Sequence, residues 1–277
     1  MYREFFGLRE MPFNLTPDPR YLYLTAQHRE AYDHVMYGIT QRKGFILLTG
    51  EVGSGKTTIC RAILHKLGDA TRTALIFNPC LNETQLLRAI VGDFGLQPVR
   101  RDRLTLLETL NAFLLEQMRA GINVALLIDE AQNLSPRLME QVRLLSNLET
   151  ALQKLIQIVL VGQPELTGRL ASHELRQLNQ RITVRAHLQR LKQNDLIAYI
   201  SHRLHVAGAS TSSVRFDEAA TTAVMAYSEG IPRMVNAVCD NALLAAYVAG
   251  LSVIDVTCVQ RAINLLRGDT ITKEADL

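Results

Sequence analysis

The sequence contains no tryptophan and little cysteine, with four cysteines among 277 residues. Those four, Cys60, Cys80, Cys239 and Cys258, are scattered along the chain without close pairs. Such spacing predicts neither a zinc site nor a framework of disulfides. We therefore expect buried structural thiols in a reducing compartment.

Long apolar segments and an excess of charge are also missing. The amino-terminal stretch MYREFFGLREMPF carries charges every few residues and lacks the apolar region of a signal peptide. The longest nearly apolar stretch, residues 242–254, is shorter than the roughly 20 residues that a spanning helix needs. The net charge of +3 is too small to indicate nucleic-acid binding by itself. We expect a cytoplasmic protein that reaches a membrane only through a partner.

Strand and helix patterns alternate through the first two thirds of the chain. Apolar runs typical of buried strands occupy residues 44–50, 73–78, 123–130 and 154–162. Helical patterns occupy residues 28–40, 56–67, 83–94, 104–120 and 136–148. This alternation predicts a parallel sheet covered by helices on both faces.

The pattern changes near residue 190, where we place a domain boundary. Helical patterns follow at residues 194–206, 217–229, 232–249 and 255–266, and strand-like runs are no longer found. Asp217 and Asp255 are expected at helix starts, and Pro232 is expected near the first position of its helix. At the other end, residues 1–25 are rich in proline and aromatic residues, which predicts an extended segment held to a surface by its rings.

The segment Gly50-Glu-Val-Gly-Ser-Gly-Lys-Thr57 matches the phosphate-binding pattern G-x-x-x-x-G-K-[ST], between a predicted strand and a predicted helix. Its glycines let backbone N–H groups surround phosphates, while Lys56 supplies positive charge and the Thr57 hydroxyl can bind Mg²⁺. The alternative is a glycine-rich turn without a ligand. The predicted ATP-binding residues of this loop are Gly50, Glu51, Val52, Gly53, Ser54, Gly55, Lys56, Thr57 and Thr58.

A second element, Val124-Ala-Leu-Leu-Ile-Asp129-Glu130, is an apolar strand that ends in two carboxylates. Burying carboxylates is costly unless they meet a cation or water. We predict that Asp129 holds Mg²⁺ through water and that Glu130 polarises the water that attacks the γ-phosphate. Alone, the motif also describes a solvated turn, but its position about 70 residues after a phosphate-binding loop strengthens the catalytic interpretation.

Polar residues also end two neighbouring predicted strands. Gln163 follows Leu160-Val-Gly and is a candidate sensor of the γ-phosphate. The alternative is that it only forms part of a Gly-Gln-Pro turn. Asn78 ends the second predicted strand and is a candidate for holding Glu130 in an inactive orientation, or else forms an ordinary Asn-Pro turn.

Basic residues cluster after the Gln163 strand, at Arg176, Arg181, Arg185, Arg190 and Lys192. An arginine that reaches the nucleotide of a neighbouring subunit would stabilise transition-state charge. We favour Arg181 for this role, with Arg176 and Arg185 behind it, and the alternative is a solvated basic face.

A further arginine, Arg233, lies in Gly230-Ile-Pro-Arg-Met-Val-Asn at the start of a predicted helix. It is a candidate to bind the γ-phosphate and report the nucleotide state to the helical region. A salt bridge between the two domains is the alternative.

These segments together resemble the ExeA-like AAA+ ATPases, a family that includes the general secretion pathway protein A ATPases. The resemblance rests on GFILLTGEVGSGKTT, LLIDEAQNL, LLSNLET, IVLVGQPEL, GIPRMVN and the amino-terminal MYREFFGLREMPFNLTPDPRYLYLT, all in order. More distantly, the chain is similar to transposition ATPases of the TniB, TnsC and MuB kind.

The resemblance implies an α/β fold, a P-loop AAA+ core with a parallel sheet followed by a small all-α lid. The domains would be residues 1–190, with the extended segment 1–25, and residues 191–277. It also implies Mg-ATP hydrolysis in a ring or filament. The implied roles are Walker A for residues 50–57, Walker B for Asp129 and Glu130, sensor 1 for Gln163 where Asn is commoner, and sensor 2 for Arg233. Secretion members continue into a transmembrane segment and a peptidoglycan-binding domain, so this chain is expected to be a naturally short member or a truncated one.

Three functions fit these residues. The first is an ATPase that helps to assemble a bacterial secretion, pilus or exopolysaccharide apparatus together with protein partners. The second is a DNA-bound ATPase that recruits a transposase. Residues 99–103 and 176–192 are its candidate phosphate contacts, and the alternative is that these arginines lie at a subunit interface or in solvent. The third is a nucleotide switch without turnover, against which the intact Lys56, Asp129 and Glu130 argue.

Overall fold

The computed structural model describes residues 1–14, 16, 18–77, 81–150, 153–209 and 214–268. Its contacts divide the chain into two compact units. We call Ala26–Glu51 with Lys56–Leu188 the sheet unit. We call Met1–Thr25, Val52–Gly55 and Gln189–Leu277 the helical unit. The proposed boundary near residue 190 lies close to Gln189, but residues 1–25, which we had assigned to the first domain, group with the carboxy-terminal helices.

The helices follow the predicted pattern closely, because apolar residues recur at helical spacing and polar caps mark several starts. Asp217 and Asp255 accept hydrogen bonds from Ala220 N and Cys258 N, and Pro232 opens its helix, as predicted. The α-helices are α1 (Tyr2–Phe5), α2 (Ala26–Thr40), α3 (Lys56–Leu67), α4 (Glu83–Asp93), α5 (Arg103–Arg119), α6 (Pro136–Leu145), α7 (Glu165–Leu170), α8 (Arg176–Arg181), α9 (Gln193–Val206), α10 (Glu218–Ser228), α11 (Pro232–Ala249) and α12 (Val256–Arg267).

The sheet unit contains a five-stranded sheet in the order β2-β3-β4-β1-β5. All of its pairings are parallel, so the carboxyl ends of its strands lie at one edge. The central strands β1, β3 and β4 are buried at every position, which explains their continuous apolar sequences. The strands of this sheet are β1 (Phe45–Gly50), β2 (Thr71–Ile76), β3 (Asn123–Ile128), β4 (Gln157–Gly162) and β5 (Ile182–Leu188).

Strand β5 was missed by the sequence analysis, which interpreted this region only as a basic cluster. Its sequence ITVRAHL alternates buried and more exposed positions, as expected for an edge strand. Arg185 stands on this strand opposite Leu47 of β1. The basic cluster is therefore partly built into the sheet.

The helical unit packs α9 to α12 around a core that also takes up aromatic rings from the amino-terminal segment. Tyr2, Phe6, Phe13 and Tyr21 are buried in this core, which confirms that the rings hold the segment. The expectation of a wholly extended segment was wrong. Residues Tyr2–Phe5 form a helical turn, and Pro19–Tyr21 form a 3₁₀ turn.

Arg203 of α9 is the main polar anchor of the amino-terminal segment. Its side chain is 7% exposed. The guanidinium donates to Pro12 O at 2.6 Å and to Asn14 O at 3.1 Å. It also lies over the rings of Phe13, Tyr21 and Tyr199, at 6.0, 4.7 and 5.6 Å from their centroids. Aromatic faces and carbonyl oxygens thus compensate the buried charge.

The prediction of an all-α second domain needs a small correction. Two short strands, β6 (Arg215–Phe216) and β7 (Val253–Ile254), pair in parallel in the helical unit. A strand of two residues leaves no recognisable alternation in a sequence, so such strands cannot be predicted from it.

Across the described ranges, no helix combines the length and the apolar character needed to cross a bilayer.

Candidate functional site

The predicted phosphate-binding loop follows β1 directly. Lys56, the first residue of α3, is 5% exposed, and its Nζ donates to Gly50 O at 2.8 Å and to Glu51 O at 2.9 Å. These bonds hold the ammonium group inside the turn that joins β1 to α3. Thr57 and Thr58 stand in the first turn of α3, a helix of 12 residues whose start favours anions.

Thr57 and Asp129 meet at the carboxyl edge of the sheet. The Thr57 hydroxyl donates to Asp129 Oδ2 at 2.8 Å. Asp129 follows β3, is 3% exposed, and donates its own N–H to Ile76 O at the end of β2. A hydroxyl oxygen beside a carboxylate offers the hard oxygen ligands that Mg²⁺ prefers. The two residues therefore fit the predicted metal site.

Glu130 has a strained backbone, with a φ of +53° and a ψ of +37°. Left-handed conformations are uncommon outside glycine and cost energy that the surroundings must offset. Its N–H donates to Asp129 Oδ1 at 2.9 Å. Its carboxylate lies near Gln163, whose Nε2 is 3.5 Å from Glu130 Oε2. The structure thus brings the predicted catalytic carboxylate of Glu130 and the predicted sensor Gln163 close together.

Gln132 is a residue at this edge that the sequence analysis missed. It lies in the 3₁₀ turn Ala131–Asn133, directly after Glu130. Its Nε2 donates to Glu130 Oε2 at 2.5 Å, and its Oε1 accepts from Gln163 N at 3.1 Å. The available signal was an amide side chain two positions after Glu130, which alone identifies no partner.

Residues 52–55 of the loop belong to the helical unit by their contacts. Gly53 and Gly55 have φ values of +80° and +98°, conformations in which glycine is favoured over other residues. Ser54 is 4% exposed, and its Oγ has no hydrogen-bond partner among the described residues. A buried hydroxyl without a partner fits a loop that takes up phosphate oxygens. Val52, in contrast, is 51% exposed.

Arg233 contacts this part of the loop within the helical unit. Its backbone N–H donates to Gly53 O at 3.2 Å. A Cβ at Gly53 would lie 2.6 Å from the Arg233 Cβ, so the close approach needs glycine there. Gly230 has a similar constraint, since its φ is +75° and a Cβ would lie 2.2 Å from Leu191 O. The Gly-Ile-Pro-Arg sequence is therefore also a structural turn that opens α11.

The other predicted arginines are mostly engaged within their own unit. Arg181 donates to Ser146 Oγ at 2.8 Å and to Asn147 Oδ1 at 2.7 Å. Arg185 donates to Asn179 Oδ1 at 2.6 Å. In the helical unit, Arg190 forms an ion pair with Glu229, and Arg176 of the sheet unit is exposed. The role of Arg181 in a neighbouring subunit stays a prediction.

Two residues named in the sequence predictions lie in a part of the chain that the structure does not describe. Asn78 and Cys80 lie outside the described residues. Cys60, Cys239 and Cys258 are buried free cysteines, as predicted. Burial raises the pKa of the Cys60 thiol, and the nearby Asp129 carboxylate adds to this shift.

The chain matches the AAA domain family over residues 39–170. It is also 47% identical over 251 residues to general secretion pathway protein A of Aeromonas hydrophila, a match that covers 90% of this chain. Together with the fold, the family match identifies residues 39–170 as an AAA domain. The chain spans 46% of the length of that relative, so the comparison concerns less than half of that protein.

Solved structures agree on the fold of this AAA+ chain. The ORC2 protein of Aeropyrum pernix, solved as ADPNP-ADP complexes, has a TM-score of 0.70 and 17% identity, covering 92% of this chain and 71% of that chain. The RuvB Holliday junction branch migration motor of Thermotoga maritima has a TM-score of 0.59 and 18% identity, covering 89% of this chain and 73% of its own. At these identities the likeness concerns the fold alone.

Proposed function

We propose that this AAA+ chain binds and hydrolyses Mg-ATP. The observation that carries the proposal is the convergence of Lys56, Thr57, Asp129, Glu130 and Gln163 at the carboxyl edge of one parallel sheet. In open α/β sheets ligands bind at this edge. Glycines with positive φ and the buried Ser54 hydroxyl are consistent with a loop around phosphates.

Each residue has a defined task in this proposal. The backbone N–H groups of residues 50–58 and the Lys56 ammonium bind the β- and γ-phosphates. Thr57 and Asp129 would hold Mg²⁺, which when bound would neutralise phosphate charge. Arg233 is proposed to contact the γ-phosphate, and Gln163 to sense it.

Hydrolysis follows from positioning and charge stabilisation. A water oxygen bonds to the γ-phosphorus while the bond between that phosphorus and the bridging oxygen of ADP breaks. Glu130 accepts the hydrogen bond of this water and takes its proton. The products are ADP and phosphate.

Glu130→Gln tests this assignment, because it keeps the shape of the side chain and removes the base. We expect ATP affinity within about threefold of wild type and a turnover number lower by about 100-fold, within the usual range for removing a general base. Nucleotide binding is measured by calorimetry and turnover by phosphate release. Turnover near that of wild type would show that a residue other than Glu130 activates the attacking water.

The active unit is proposed to be an oligomer whose nucleotide site receives an arginine from the next subunit. Arg181 is half-buried, with Arg176 and Arg185 as further candidates. An arginine supplied in trans can be worth about 10³ in rate. Arg181→Ala is therefore expected to bind ATP but hydrolyse it slowly.

Mixing Arg181→Ala with Glu130→Gln is the sharper experiment. Each variant lacks a different half of a shared site, so mixed assemblies regenerate some complete sites and recover activity. Co-assembly without recovery would exclude Arg181 as the residue supplied in trans. A wild-type monomer with normal turnover would exclude the shared site.

For the biological process, we propose assembly of a bacterial secretion, pilus or exopolysaccharide apparatus, on the cytoplasmic side and through a protein partner. The support is the similarity to general secretion pathway protein A over the AAA+ region. The alternative is a DNA-bound regulator of transposition. Arg100 and Arg101 are exposed, but Arg103 pairs with Glu83 and donates to Gln141, which leaves fewer cations for phosphates.

Salt-dependent DNA binding separates the two processes. A protein that neutralises several DNA phosphates loses affinity for DNA steeply as the salt concentration rises. In the transposition hypothesis, DNA binding also depends on ATP. We expect weak binding to duplex DNA that ATP does not change. Tight, ATP-dependent binding that Arg100→Ala and Arg101→Ala weaken would instead support the transposition role.

A further inference from the structure

The carboxylate of Glu130, the candidate general base, contacts two amide side chains. The Glu130 backbone is left-handed, a conformation that the surroundings must stabilise. The Gln163 amide is 3.5 Å from the carboxylate, at the limit of a hydrogen bond, and therefore holds it weakly. The closer contact comes from Gln132, whose Nε2 donates to the same carboxylate oxygen.

The Gln132 amide joins two groups that have opposite hydrogen-bonding needs. Its Nε2 faces a carboxylate oxygen of Glu130, which can only accept when ionised, and its Oε1 faces the N–H of Gln163, which can only donate. The reversed amide would place oxygen against oxygen and N–H against N–H. The side chain is therefore fixed in one orientation and links the ends of β3 and β4.

The surrounding structure is arranged to keep Gln132 in place. Arg169 of α7 donates to Gln132 O and, at 2.7 Å, to Leu134 O, which ties the turn after β3 to the helix after β4. At the end of β4, a Cβ on Gly162 would lie 2.8 Å from both Gln132 Oε1 and Leu166 Cδ2. The absence of a side chain at Gly162 gives the amide its space.

We propose that Gln132 is a positioning residue for ATP hydrolysis, which fixes one carboxylate oxygen of Glu130 and couples Glu130 to the Gln163 end of β4. This inference rests on the proposed function. By fixing Oε2, the amide orients the carboxylate for its contact with water. A misplacement of about 1 Å at such a site costs on the order of 100-fold in rate.

The first test compares Gln132→Met with wild type in steady-state hydrolysis and in ATP binding. Methionine has a similar length but neither donates nor accepts strongly. We expect a turnover number lower by about 10- to 100-fold, with the Kd for Mg-ATP within about threefold. Gln141→Met is the matched control, because Gln141 is a buried glutamine of α6 whose Oε1 accepts from Arg103. Unchanged turnover in Gln132→Met, or an equal loss in the control, would overturn the inference.

The double variant separates positioning from a general structural effect. If Gln132 acts through Glu130, then adding Gln132→Met to Glu130→Gln lowers the residual rate by no more than about twofold. Multiplicative losses would mean that Gln132 acts independently of Glu130, and the inference fails while the proposed function stands. If Glu130→Gln turns over like wild type, or if wild type releases no phosphate from Mg-ATP, the proposed function fails first and this inference falls with it.

Gly162→Ala gives an independent approach that leaves Gln132 intact. The added methyl group would lie 2.8 Å from Gln132 Oε1 and equally close to Leu166 Cδ2. The Gln132 amide is therefore expected to shift and turnover to fall in the direction of Gln132→Met, while Mg-ATP binding is kept. Gly168→Ala is the control, because Gly168 lies on α7 with nothing within 4 Å of the position of its Cβ. Wild-type turnover in a folded Gly162→Ala protein would contradict the role of Gln132.

Discussion

The two units each bury a cation, and they do so in different ways. In the sheet unit, Lys56 donates to the carbonyls of Gly50 and Glu51, which are no more than six positions away in the chain. In the helical unit, Arg203 donates to Pro12 O, 191 positions away, and is enclosed by aromatic rings. Both cations are less than 10% exposed, at 5% and 7%.

The different partners of Arg203 and Lys56 indicate that the first cation stabilises the fold and the second is held ready for a ligand. Contacts between distant parts of a chain form only on folding, so the contacts of Arg203 stabilise the tertiary structure. The carbonyl contacts of Lys56 are local, so their loss leaves the packing of the sheet largely intact. Burial of a charge therefore does not identify a functional site by itself. The distance along the chain to its hydrogen-bond partners distinguishes a cation that stabilises the tertiary structure from one that is held within a local turn.

The largest expected effect on stability comes from Arg203→Met. Loss of charged hydrogen bonds and of stacking on three rings is expected to lower the free energy of unfolding by about 3 kcal/mol. Lys56→Met is expected to cost less than about 1 kcal/mol without nucleotide. Urea unfolding of each variant and of wild type measures both losses. Arg203→Lys, which keeps the charge but loses the planar fork, should lie between wild type and Arg203→Met. If Arg203→Met and Lys56→Met lowered the free energy of unfolding equally, the two cations would not differ in their contribution to the fold.

A smaller effect is expected from Gly53→Ala. Its φ of +80° and the 2.6 Å approach to the Arg233 Cβ together predict a loss of about 1 to 2 kcal/mol. Gly55→Ala is the matched comparison, because Gly55 also has a positive φ but nothing lies within 4 Å of the position of its Cβ. Thermal unfolding should therefore show a larger loss for Gly53→Ala. The reverse order would place the Arg233 contact in doubt.

The smallest effect concerns the hydrogen bond that Tyr2 donates to Asp240. Burial raises the pKa of the Tyr2 hydroxyl well above its ordinary value of 10, and Asp240 adds to this shift. Since the folded state holds this proton more tightly than the unfolded chain, stability is lost as pH rises above 10. Tyr2→Phe should cost about 1 kcal/mol at neutral pH and weaken this alkaline loss. An unchanged alkaline slope would show that other groups cause it.

Much of the sheet unit could be predicted because its central strands are buried on both faces. Such strands have continuous apolar sequences, and Gly50 and Asp129 follow directly from where two of them end. Edge strand β5 was missed because its exposed positions carry threonine, arginine and histidine, so it lacks the continuous apolar run that marks the central strands. Gln132 was missed for another reason. Its role depends on the distance between the ends of β3 and β4, which no spacing along the chain reveals.

The helical unit was predictable in its helices and caps but less so in its composition. Asp255 and Pro232 mark helix starts by local chemistry alone. The grouping of residues 1–25 with α9 to α12 depends on long-range contacts such as that of Arg203 with Pro12. Rings in the amino-terminal segment indicated that it is held to a surface, but not to which one.

Calorimetric titration of Mg-ATP into wild type and Lys56→Ala tests the central claim most directly. The account predicts saturable binding to the wild type and a loss of at least about tenfold in affinity for the variant, equivalent to about 1.4 kcal/mol. Unfolding measured without nucleotide should be nearly the same for both proteins, which would separate a binding defect from a folding defect. Equal affinities, or no binding to a folded wild type, would contradict the assignment of this loop as an ATP site.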